Sequence, residues 1–319
     1  MSARHPLPAS SPLLAPTSKP ISLSFPNPTG KPEHEGIIAV LTLDAPEKLN
    51  AMRYEDTVKF VDALQWIASQ DKVVFTVITG KGRFFSAGAD VNDPSRGTPS
   101  SAAPLEPGTA PHTLEVKKHV FSRFSTSNLA FASALHSHPK ILIGALNGPA
   151  IGIFATLLGH CDLIYSFKEF WLSTPFMGLA LVSEGAAALA FAKKMGLGRA
   201  QVALLEGKKM EAEDLRQCGF ITHIFPTPPN TAEESKKHKH YTPPILDLVL
   251  SHLSQKFLPP ILDPWSLLYT KELIRAANYD GWDLARTNME EIKGAEQVFM
   301  SGRPQRQFER ISQGGRHKL

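Results

Sequence analysis

An α/β fold is what this chain predicts, on three observations. Short apolar or β-branched runs alternate with amphipathic helical segments. Two glycine-bearing turns each follow a strand-like run. The composition, 42% hydrophobic and 20% charged over 319 residues, supplies one sizeable core and a smaller appendage. Strands separated by helices imply crossover connections within one domain.

Residues 1–35 carry eight prolines between Pro6 and Pro32, set among serines. Such a segment buries no core and interrupts helices, so it reads as a flexible tail. A mitochondrial presequence is the competing reading, because Arg4 and Lys19 occur with no acid before Glu33; the prolines spoil the amphipathic helix it needs. A core follows over 36–225. Its strands are expected at Gly36–Leu43, Val73–Thr79, Lys140–Leu146 and Asp162–Phe167, all short and apolar or β-branched. The first helix is expected over Tyr54–Gln70, with Val58, Val61, Leu64 and Trp66 on one face and Asp56, Lys59 and Asp62 on the other. Gly185–Met195, Arg199–Leu205 and Ala212–Cys218 read as further helices, the last leading into a strand at Phe220–Phe225.

Pro94, Pro99, Pro104, Pro107 and Pro111 mark an irregular insert within 92–135. Phe121, Phe124 and Phe131, irregularly spaced on a helical stretch, suit either an acyl tunnel or plain core. Residues 226–242 read as an exposed linker. Helices at Ile245–Phe257, Pro264–Asn278 and Trp282–Met300 then form a C-terminal region over 243–312. The tail, 313–319, ends His317-Lys318-Leu319, close to the Ser-Lys-Leu type of peroxisomal address; an arbitrary basic tail is the other reading.

Charge and cysteines exclude several classes. With 34 basic and 30 acidic residues the net charge is +4, too small an excess to argue for nucleic acid yet compatible with a phosphate-bearing ligand. No run reaches the roughly 18 apolar residues of a membrane span. Cys161 and Cys218 lack CxxC spacing, which argues against a disulfide framework or zinc and makes a reducing compartment the default. Lys236-Lys237-His238-Lys239-His240 reads as a solvated loop rather than a metal site. The residues near Lys81-Gly82 lack the phosphate-loop spacing.

The chemistry concentrates in two turns. In Phe85-Ser86-Ala87-Gly88-Ala89-Asp90 the Ala89 amide is expected to point outward, with Asp90 opening a helical stretch as its cap. In Asn147-Gly148-Pro149-Ala150-Ile151-Gly152 the glycines free the backbone before an apolar helix over Ile153–Gly159, whose first amides have no partner within the helix. Either turn alone is an ordinary strand-to-helix connection. Together they can aim two N–H groups at a carbonyl oxygen that gains negative charge, the requirement of acyl and thioester chemistry.

With Asp44-Ala45-Pro46-Glu47-Lys48-Leu49-Asn50-Ala51-Met52 and Cys161-Asp162 added, the chain resembles the crotonase, or enoyl-CoA hydratase/isomerase, superfamily over about residues 36–225. The resemblance implies a spiral of ββα units, a C-terminal helical region used to form trimers or hexamers, and a bound acyl-CoA. It puts the thioester oxygen on the Ala89 and Ile153 amides, with Ala87, Gly88, Asp90 and Val91 beside the substrate. It places Lys48, Leu49 and Ala51 on the loop that receives the adenine end of CoA, where Lys48 or Arg53 meets a phosphate. It implies no metal or redox cofactor; the C-terminal tripeptide, aided by this metabolic context, points to a peroxisomal protein recognised by an import receptor, with the mitochondrion as the alternative.

Two glutamates that share a water characterise the hydratases of this family. Here Thr156 stands at the first position and Thr174 or a near neighbour at the second, and neither is a carboxylate base. Glu184, in Gly178-Leu179-Ala180-Leu181-Val182-Ser183-Glu184-Gly185, falls where the fungal Δ3,Δ2-enoyl-CoA isomerases of the family carry a single catalytic glutamate. By itself Glu184 reads equally as a first-turn acid of the helix that follows. Apolar Leu181, Val182 and Phe154 are expected to raise its basicity, against the helix N-terminus. The implied reaction moves a double bond from C3–C4 to C2–C3. The alternatives are a hydratase or isomerase step in a secondary-metabolite pathway, or a silent acyl-CoA-binding subunit.

Overall fold

The computed structural model describes residues 19–93, 109–119, 126–179, 181–229, 234 and 241–279, with scattered positions from 289 to 313. Outside the described residues lie 1–18, Phe121, Phe124, the run Lys236–His240, most of Trp282–Met300 and the tripeptide His317–Leu319.

A six-stranded sheet organises the chain, in the order β1 (Ile21–Ser24), β2 (Ile38–Leu43), β3 (Phe75–Gly80), β4 (Ile141–Leu146), β6 (Leu163–Phe167), β9 (His223–Phe225). From β2 onward all pairs are parallel; β1 alone runs antiparallel, Ile21 opposite Leu43. A small second sheet joins β5 (Ala150–Ile151), β7 (Trp171–Ser173) and β8 (Met210–Glu211).

The sheet is buried on both faces, which is why its strands read as unbroken apolar runs rather than alternating ones. Ala39, Leu41, Leu43, Leu142 and Leu146 enter one core with α1 (Tyr54–Ala68), α3 (Thr126–His136) and α5 (Ala187–Met195). Ile38, Val40, Ile141, Ile143 and Ala145 alternate with them and enter a second core, closed by α8 (Ile245–Lys256). The remaining helices are α2 (Ala110–His119), α4 (Ile153–Thr156), α6 (Leu197–Leu205), α7 (Ala212–Gln217) and α9 (Pro264–Tyr279). Among the described residues no helix is long and apolar enough to cross a membrane.

Three expectations change. Ile21–Ser24, inside the segment read as a tail, forms the edge strand β1 because Ile21 and Leu23 find an apolar face to bury against. The buried face of α1 is Phe60, Val61, Ala63, Leu64 and Ile67; Val58 is exposed, and Asp56 is buried because its carboxylate accepts the Arg53 amide at 3.0 Å. Phe131 is core, packed with Phe60 and Phe154, so it lines no tunnel.

Candidate active site

Both turns sit beyond the carboxyl ends of the parallel strands, where α/β sheets place ligands. Two buried asparagines hold the loop that leaves β3. Asn50 donates from Nδ2 to Lys81, Phe84 and Phe85 carbonyls at 2.9, 2.8 and 3.1 Å, and accepts the Ala45 amide at 2.8 Å. Asn147 accepts the Gly80 amide at 3.0 Å and donates to Gly82 and Phe84 carbonyls at 2.8 and 2.9 Å. One comes from the Asp44–Met52 motif and the other from the Asn-Gly turn, so three motifs are cross-linked through a single loop.

The turns themselves abut. Ile151 N donates to Ser86 O at 2.8 Å, and Ser86 pairs with Ala150 in a parallel bridge. Gly88 has φ +90, and a Cβ there would stand 2.8 Å from the Ile151 carbonyl and 3.6 Å from Gly152 Cα, so glycine is required. Around this contact nearly every amide is engaged: Gly88 by Ser86 Oγ at 3.0 Å, Asp90 by Met52 O at 2.8 Å, Gly152 by Ser173 O at 3.0 Å, Ala155 by Gly152 O at 2.9 Å. Among the described residues the Ala89 and Ile153 amides have no hydrogen-bond partner. Both residues are only half-buried.

The turn that carries Glu184 packs against the helix that follows the second of these turns. Glu184 is 9% exposed, and a Cβ on the next residue, Gly185, would lie 2.2 Å from Thr156 Oγ1 and 3.9 Å from Ile153 Cγ1. The turn bearing the carboxylate is therefore pressed onto the helix that starts with Ile153. The helix expected from Gly185 starts later, so Glu184 is not a first-turn residue, the alternative reading of it. Gly185 and Ala186 take left-handed φ of +63 and +54, and α5 begins only at Ala187, whose amide the Glu184 carbonyl accepts at 3.1 Å. Of the apolar neighbours expected around it, Leu181 and Val182 are exposed and Phe154 turns into the core.

Thr156 and Thr174 have committed hydroxyls: Oγ1 of the first donates to Ile153 O at 2.6 Å, that of the second to Ala203 O at 2.7 Å. Asp90 opens no helix. Its Oδ1 accepts the Asn92 amide at 2.9 Å in an Asx turn, and its Oδ2 lies 3.5 Å from Lys48 Nζ and 3.6 Å from Arg53 Nε. It thereby draws two half-exposed cations to one side of the Ala89 turn. Leu49 O receives the Ala87 amide at 2.8 Å, Lys48 O receives the Ala51 amide at 3.0 Å, and Val91 stands 80% exposed at the rim.

Sequence reading missed two side chains that hold the turn bearing Glu184. Asn128 Oδ1, from α3, accepts the Gly185 amide at 2.7 Å, and His160 Nε2 meets the Gly185 carbonyl at 2.8 Å. Neither sits in a motif, and only the fold brings them to Gly185. His136 and His160 also line a cavity of about 460 Å³ bounded by α5 and α9, to which neither turn contributes. Cys161 is buried, and burial pushes its thiol up to about 12, which leaves it unreactive. Among the described residues no three His, Cys, Asp or Glu side chains are grouped to hold a metal ion.

Residues 33–238, more than half of the chain, match the family model described as enoyl-CoA hydratase/isomerase. The chain belongs to this family. It is 34% identical over 291 residues to the Δ(3,5)-Δ(2,4)-dienoyl-CoA isomerase of Pyricularia oryzae, covering 90% of this chain and 98% of that protein. It is 29% identical to the 3,2-trans-enoyl-CoA isomerase of Saccharomyces cerevisiae, covering 89% and 95%. The structure of an enoyl-CoA hydratase subunit I from Geobacillus kaustophilus superposes with a TM-score of 0.67 at 20% identity, over 94% of this chain and 97% of that one. At that identity the likeness shows the crotonase fold alone.

Proposed function

We propose that the protein is a Δ3,Δ2-enoyl-CoA isomerase that converts 3-enoyl-CoA to trans-2-enoyl-CoA in fatty acid β-oxidation. The observation that carries this reading is a buried carboxylate, Glu184, on a turn packed against the helix that starts at Ile153, together with two abutting turns whose Ala89 and Ile153 amides lack partners among the described residues. The thioester oxygen accepts from those amides. Glu184 removes a proton from C2, the negative charge spreads onto the oxygen as an enolate, and the same carboxyl returns the proton to C4. The C2=C3 bond forms as C3=C4 is lost, with no net change in atoms or electrons. Each amide contributes roughly 10²–10³ in rate, by analogy with other oxyanion sites. Lys48 and Arg53 supply positive charge for CoA phosphates, and no metal or redox cofactor enters a step. A trimer or hexamer, and delivery to the peroxisome through His317-Lys318-Leu319, complete the proposal.

Similarity to the Pyricularia protein favours a second reading, a 3,5-dienoyl to 2,4-dienoyl shift. That reaction must move a proton from C2 to C6, two carbons further than the monoene requires. One carboxylate, Glu184, suits the shorter transfer better: the two positions where the hydratases of the family carry glutamates hold the committed hydroxyls of Thr156 and Thr174, and Asp90 is paired with Lys48 and Arg53.

Purified protein offered 3-enoyl-CoA, 3,5-dienoyl-CoA and 2-enoyl-CoA separately tests all of these. An equal-mass conjugated product from the first is expected, with Glu184→Gln lowering kcat by about 10²–10⁴-fold and leaving KM little changed. Faster turnover of the diene moves the second reading to the front. Water addition to the 2-enoyl substrate means a hydratase, and inertness to all three means a binding subunit.

A further inference from the structure

Gly185, the residue that follows Glu184, has both of its backbone polar groups held by side chains from other elements. Its N–H goes to Asn128 Oδ1, and its C=O goes to His160 Nε2. A carbonyl only accepts, so His160 carries its proton on Nε2. Burial is the main influence on this imidazole and lowers its pKa; the Gly185 bond opposes that, and nearby His136 and Lys194 add to it. Burial thus disfavours the charged form of the ring, whose Nε2–H is spent on Gly185. His136 meets it edge-on, with centroids 6.1 Å apart.

His160 closes the 3-10 turn Leu157–His160, which continues directly from α4. Ile153, the owner of one unpartnered amide, opens that same helical run. One short rigid element therefore presents the amide at its start and grips the Glu184 turn from its end. Gly185 and Ala186 are left-handed, a conformation that L residues leave readily once tertiary contacts stop holding it.

We propose that His160 is a positioning residue: its Nε2–H bond to the Gly185 carbonyl fixes the Gly185–Ala186 peptide, one step on from Glu184, and, together with the Asn128 bond to the Gly185 N–H, so holds the carboxylate-bearing turn in place against the helix that begins at Ile153. This rests on Glu184 being the base. The bond does not touch substrate, so its loss misplaces the carboxylate without altering the CoA site.

The test uses the full chain with His160→Asn, too short to reach Gly185, and His160→Gln, whose amide nitrogen reaches about as far as Nε2. Expected for His160→Asn is a fall in kcat of about 10–100-fold with KM within twofold, the scale of a misplacement near 1 Å. His160→Gln restores most of the rate at the same melting temperature as His160→Asn. In a Glu184→Gln background His160→Asn costs nothing further. Unchanged kcat in His160→Asn overturns the proposal, as does an equal loss in both variants. If Glu184→Gln retains full turnover, the base assignment fails instead, and that result is separate from either His160 outcome.

Discussion

Asn50 has no solvent exposure, takes a left-handed φ of +56, and makes four side-chain hydrogen bonds. Asparagine tolerates that backbone region better than most residues, and its amide matches one backbone donor and three carbonyls. Phe84 O is shared with Asn147, so it keeps a partner if Asn50 is lost; the Ala45 amide loses the acceptor it has here. Asn50→Ala should cost about 1–3 kcal/mol, read as a lower urea midpoint. The loop it holds carries the Ala89 turn, so kcat for 3-enoyl-CoA should fall as well; a stability loss with kcat intact would mean that the turn keeps its shape without Asn50.

Lys271 helps to fasten the helix α9 to the core. Lys271 Nζ donates to the Lys140 carbonyl at 2.6 Å and to Asp162 Oδ2 at 2.7 Å, and its side chain is only 12% exposed. Asp162 Oδ2 also accepts the Leu142 amide at 2.7 Å, so the Cys161-Asp162 motif serves structure, tying β4 to β6 and both to α9. Burial lowers the Lys271 pKa and the Asp162 charge resists it. Lys271→Met should cost about 1.5–3 kcal/mol, the range for hydrogen bonds to charged groups. Amide exchange in Pro264–Tyr279 should speed up while β3 and β4 stay protected. Uniform acceleration across the chain would show instead that α9 and the sheet unfold as one unit.

Across the whole molecule, the site occupies the carboxyl end of the parallel sheet and a pH-sensitive group occupies the other. His138 is 1% exposed, and its Nε2 meets Thr76 Oγ1 at 2.8 Å near the start of β3. Burial first, then the Lys271 and Lys140 charges, lower its pKa from 6.5 to about 3. Between those values the unfolded chain binds a proton that the folded protein refuses. The stabilisation is complete above pH 6.5 and shrinks as pH falls toward 3, by about 1.4 kcal/mol per pH unit from this group. Urea midpoints at pH 7 and pH 5 should differ more for the parent than for His138→Gln. Equal differences would mean that His138 ionises normally in the folded protein.

Local signals account for what the sequence by itself determined. Apolar runs at 36–43, 73–79, 140–146 and 162–167 become β2, β3, β4 and β6 within two residues at either end, because strand and helix preferences act over a few neighbouring side chains. The motif residues and the α/β class are legible for the same reason. Tertiary structure decided the rest. It brought Gly88 against Gly152, recruited Ile21–Ser24 to the sheet edge, and gave Asp90 to Lys48 and Arg53 rather than to a helix. It also started α5 at Ala187, leaving Glu184 on a turn gripped by Asn128 and His160. Those outcomes depend on contacts between residues far apart in the chain, whose energies appear only once the sheet has set their positions.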